Sequence, residues 1–132
     1  MEFYDFGNGS VKAHRHANGG GWVADTATVA ATVYVGPDAT VFDYASVSGS
    51  AEVSGDARVF GDATVSDSAW VSGSAEVSGR ARVFGNASVF GNAWVFGDAK
   101  VSGSAWVSGK AVVYGDARVY GCARVFDGEL VS

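Results

Sequence analysis

The chain has one cysteine and one proline among 132 residues, and only 9 basic residues against 14 acidic ones. A single thiol, Cys122, excludes an internal disulfide and a cysteine-built zinc cage. A net charge of −5 argues against a general binder of nucleic acid or of an anionic membrane, leaving room only for a local basic strip. No apolar run approaches the roughly 18 residues that cross a bilayer. The start, MEFYDFGNGS, lacks the basic and apolar regions of an export signal. The expectation is one cytoplasmic domain with no nucleic-acid or membrane partner. Histidine is scarce too: His14 and His16 are the only two.

Glycine is not scarce. Nineteen glycines would suit a flexible linker, but a hydrophobic fraction of 48% argues for a packed core. The glycines follow a strict order. From Val23, every sixth position up to Val131 is valine. From Ala27 onward the residue two before each valine is small, except at Val33 and Glu129. The residue two after is mostly glycine, with Asp25, Asp43, Asp67 and Asp127 among the substitutes. In the unit A-x-V-x-G-x, alanine and valine share one side of an extended strand and point inward. The residues flanking valine point outward, and glycine turns the corner at positive φ. A period of six cannot keep a helical face aligned, so the pattern predicts short strands and corners wound into a solenoid.

The stretches VFGDAKVSGSAW and GWVADTATVAATVYVGPDATV resemble the hexapeptide-repeat family, over about Val23 to Ser132. The resemblance implies an all-β fold: a left-handed parallel β-helix of triangular section, three hexads per coil and about six coils of 18 residues. Residues 23–132 would form the β-helix and residues 1–22 a capping segment. Two departures stand out. The aliphatic position is valine throughout, and glycine falls two after it rather than one. A prism of constant section accepts one side-chain volume per inward column, and Val77→Asp is expected to be severely destabilising for want of any partner at that depth.

A period of 18 sorts the outward residues into three faces. The first carries Trp22 and Trp94 before valine and Phe42, Phe60, Phe96 and Tyr114 after it, an aromatic ladder expected to be exposed and to form an oligomer interface, in a trimer or dimer. Simple stabilisation of neighbouring strands is the alternative. The second face carries Arg82, Lys100 and Arg118, one per coil, candidates for an anionic small molecule or a partner's carboxylates, with a plain solvated and salt-screened face as the simpler reading. The third carries Trp70 and Trp106, candidates for stacking on a sugar or anchoring a protein.

Catalytic chemistry is not visible. Acyltransferases that share the resemblance place a histidine near a loop interrupting the coils, and the related carbonic anhydrases use three histidines at subunit interfaces. Here the register is unbroken and holds no histidine. The spacing of His14 and His16 predicts both on one side of an extended segment, where a structural pair is favoured over a metal site. GSAWVSGKA has the wrong spacing for a phosphate loop. No cofactor, metal or catalytic residue is assigned. The leading expectation is a non-enzymatic structural or interaction protein, of bacterial or phage type by the resemblance. The alternatives are a small-molecule binder with pockets between subunits, a degenerate acyltransferase or carbonic-anhydrase relative, and a water-ordering surface, the last weakened by the irregular Thr28, Thr40 and Thr64.

Overall fold

Two apolar residues spaced two apart lie on one side of an extended chain, and the hexads use this at every strand. The computed structural model describes residues 2–7, 9–126 and 130–131. Asp127, Glu129 and Ser132, which the register places in the last hexads, lie outside the described residues. Three strands come first: β1 (Glu2–Asp5), β2 (Ser10–Arg15) and β3 (Trp22–Ala24). Two-residue strands then recur every six residues, from β4 (Thr28–Val29) to β21 (Leu130–Val131), each ending on a register valine. Among the described residues there is no helix, so none is long and apolar enough to cross a membrane.

Strands pair with partners 18 residues away. Val23 lies beside Val41, Val41 beside Val59 and Val59 beside Val77. The same offset joins Val29 to Val47 and Val35 to Val53. Three parallel sheets result, one for each side of the coil, and the chain is a parallel β-solenoid of about six turns. The three outward columns read from the sequence therefore stand in register.

Inside, the valine and alanine columns form one continuous core from Val23 to Val125. Val77 and Ala75 have no exposed area. A buried valine contributes about 1.5–2 kcal/mol relative to exposure.

Corners are set by backbone geometry. Gly73 has φ 65°, and a Cβ there would lie 2.8 Å from the backbone nitrogen of Gly91 in the next coil. The corners also pair between coils, with the Ser74 N–H donating to the Gly91 carbonyl at 2.7 Å. Glycine thus meets two demands, a left-handed backbone and close stacking. Asp43 and Asp67 take the same conformation, φ 59°. Each offsets the strain by accepting a hydrogen bond from the next corner's N–H, Gly61 and Gly85 respectively, at 3.1 Å. Asp25, expected to turn in the same way, does not have positive φ. Strand β2 lies beside it instead, and the Asp25 N–H donates to the Lys12 carbonyl at 2.9 Å.

The segment before the repeats does two things. Residues 16–21 cross the edge of the first coil: the Val35 N–H donates to Asn18 and the Gly21 N–H to Val35, both at 3.0 Å. Gly19 has φ 112° there, and a Cβ on it would strike the Val35 carbonyl. His16 is buried, and its Nε2 donates to the Val33 carbonyl at 2.7 Å. The second role belongs to β1 and β2, which form an antiparallel hairpin attached to β3. The hairpin continues the first sheet beyond β3, and the start of the chain lies over the outer surface of the first face, where Phe6 meets Phe42.

Candidate functional site

The first face divides into a covered half and an open half. In the covered half, Phe6 stacks on Phe42 with ring centroids 4.7 Å apart, and Phe42 stacks on Phe60 at 4.8 Å. Tyr4 stacks on Trp22 at 4.8 Å. The Arg58 guanidinium lies over both Phe42 and Phe60, and its Nη2 donates to the Phe6 carbonyl at 2.6 Å. Phe6, Ala13, Ala24 and Phe42 are buried as a second small core, outside the solenoid wall. The ladder expected to be exposed from Phe42 onward is thus corrected at its upper end. Phe42 retains only 4% of its surface, and Trp22 is half-buried, because the chain's own hairpin lies on them.

Below Phe60 the face is open. Trp94 is 50% exposed, and Phe96 and Tyr114, half-buried, stack on each other at 5.7 Å. Between Phe60 and Phe96 the ladder is interrupted by Ser78. Glu76, Ser78, Trp94 and Phe96 line a notch of about 180 Å³ there. A larger cleft of about 430 Å³ runs beside the hairpin, lined among others by Phe6, Val11, Ala24 and Phe42.

On the second face, Arg82, Lys100 and Arg118 are direct cross-strand neighbours. Among the described residues none of them has an ion pair or a hydrogen bond with a carboxylate. They line a cleft of about 380 Å³ with Arg80, Asp98 and Asp116. On their other flank, Phe84, Ser102 and Tyr120 border Lys100 and Arg118. Like charges stacked at strand spacing repel, so this column is electrostatically unfinished.

On the third face Trp70 and Trp106 are both exposed but separated by Ser88. The Arg124 guanidinium lies 4.6 Å from the Trp106 ring centre, and Phe90 meets that ring edge-on. The two tryptophans are therefore not equivalent, and they stand on a different side of the prism from the cation column.

The histidines part company. His14 is exposed, its Nδ1 2.7 Å from an Asp25 carboxylate oxygen, whereas His16 is buried against Val33. Strand β2 ends at Arg15, so the alternation that would place both on one side stops before His16. Cys122 is exposed.

Tyr4, Phe6, Arg58, Glu76 and Ser78 shape the first face and were not among the residues singled out from the sequence. A signal for the first two was available: Tyr4 and Phe6 are two apart and share one side of a strand. The 18-residue columns already set Arg58, Glu76 and Ser78 on this face; that Arg58 turns from Glu76 to Phe6 depends on where the hairpin lies.

The family model described as "YdcK Beta solenoid repeat" matches residues 57–73, a stretch shorter than one coil. No curated protein and no solved structure matches the chain.

Proposed function

We propose that the protein is a non-enzymatic assembly and binding rod of the cytoplasm, a left-handed hexapeptide-repeat solenoid that self-associates through the open half of its aromatic face. The unbroken hexad register and three hexads per coil support that family placement. The absence of histidine and of any inserted loop between Val23 and Val125 supports a role without catalysis. One observation carries the docking reading: the upper half of the aromatic face is already occupied by an aromatic β-hairpin, Phe6 on Phe42. The lower half presents the same kind of surface, Trp94, Phe96 and Tyr114, with nothing on it among the described residues. Aromatic rings supply large contact area at small entropic cost, which favours a dimer or trimer built on them.

Sedimentation and light scattering test this. The wild type is expected to be a dimer or trimer, and Phe96→Lys and Tyr114→Lys are expected to yield monomers with unchanged circular dichroism. A wild-type monomer at high concentration overturns the reading.

A second reading is favoured by the uncompensated column Arg82, Lys100 and Arg118: a site for an anionic small molecule or an acidic partner segment. A polycarboxylate that raises the melting temperature of the wild type but not of Lys100→Glu supports it, since a ligand bound to the native state stabilises that state.

A further inference from the structure

Arg58 and Glu76 face each other on adjacent strands of the first sheet, a placement in which opposite charges ordinarily pair. They do not pair. The Arg58 guanidinium is drawn to the Phe6 carbonyl and onto the Phe42 and Phe60 rings. Among the described residues Glu76 is left with no ion pair or hydrogen bond through its carboxylate. On its other side stands Trp94, and next to it the ladder gap at Ser78 opens the notch of about 180 Å³ bounded by Phe96.

We infer that this notch is a receptor for the guanidinium of an arginine on a partner polypeptide. Two features select that chemistry. A half-buried carboxylate beside an indole and a phenyl ring supplies both halves of a cation site: charge at the head and π faces along the flanks. A planar guanidinium fits better than an ammonium, because it accepts stacking on its faces while its edge donates two parallel hydrogen bonds to one carboxylate.

The molecule uses the same chemistry on itself. Arg15 lies 4.8 Å from the Trp22 ring centre and Arg124 lies 4.6 Å from that of Trp106. Arg58 lies 5.2 Å from the ring centre of Phe42. At the notch the rings and a carboxylate are present, and among the described residues no cation lies over Trp94 or Phe96. A net charge of −5 adds a favourable long-range field for a basic segment. This goes beyond self-association, because the occupant is defined by the notch and not by the symmetry of an assembly.

The test follows the Trp94 indole N–H by nuclear magnetic resonance, assigned with Trp94→Phe, during titration with N-acetyl-arginine amide and with the neutral isostere N-acetyl-citrulline amide. Because Trp94 and Phe96 also belong to the proposed self-association surface, both amides are titrated into Tyr114→Ser, expected to be monomeric, which keeps all four notch residues and adds no charge beside Phe96. A failure of self-association is then read by sedimentation and a failure of the notch by resonance shift. Arginine amide is expected to shift the Trp94 signal saturably and citrulline amide is not. Glu76→Gln is expected to weaken binding about tenfold, the loss of a charge-assisted bond. Ser78→Phe, which continues the ladder through the gap, is expected to abolish it while leaving the melting curve cooperative. A peptide carrying one arginine should compete with the amide. Equal shifts from the two amides, an unchanged affinity in Glu76→Gln or persistent binding in Ser78→Phe each overturn the assignment.

Discussion

Phe6 and Phe42 stack at 4.7 Å with their planes only 14° apart, which ties the start of the chain to the outer wall of the solenoid's second coil. The contact lies outside the valine core, yet both rings are almost fully buried. The protein therefore has two hydrophobic units: a long prism and a small strap on one face.

That division predicts local rather than global loss when the strap is damaged. Phe6→Ala removes a ring held between Tyr4 and Phe42, and truncations of this kind cost about 3–5 kcal/mol. Hydrogen exchange is expected to show lost protection in residues 10–15 and little change in the strands around Val77 and Val95. Uniform loss along the rod would show that strap and prism unfold as one.

Asp67 allows the corner chemistry to be separated into its parts. Asp67→Gly relieves the positive φ but gives up the bond from the Gly85 N–H, whereas Asp67→Ala gives up the bond and keeps the strain. The alanine variant is expected to lose about 1–3 kcal/mol, combining αL strain and a lost hydrogen bond, and the glycine variant about 1 kcal/mol or less. Urea midpoints at constant slope measure both. Equal losses would mean that the hydrogen bond, not the backbone, dominates.

Lys100 sits between Arg82 and Arg118 on adjacent strands. Reversing its charge turns two repulsive neighbours into attractive ones. Lys100→Glu is expected to raise stability at low salt by about 0.5–1 kcal/mol, and the gain should vanish near 1 M salt, where the screening length falls to about 3 Å. Melting temperatures across a salt series check the sign. A destabilised variant would mean that Asp98 and Asp116, which line the same cleft, already neutralise the column.

Period and residue size determined the wall of this protein directly. A small residue, a valine and a corner glycine every six residues admit one arrangement of inward and outward positions, because strand alternation and corner geometry are local. The period of six does not itself fix three hexads per coil; that number came with the resemblance to the hexapeptide-repeat family, and the observed offset of 18 sets the columns of Arg82, Lys100 and Arg118 and of Phe42, Phe60, Phe96 and Tyr114 in register. What covers a column was not legible. Only the tertiary fold decides that the start of the chain lies over Phe42, that Arg58 leaves Glu76 for Phe6, and that His14 and His16 separate. These contacts join residues up to 52 positions apart, outside any repeat, and they are chosen by the fit of a non-repeating segment onto a repeating surface.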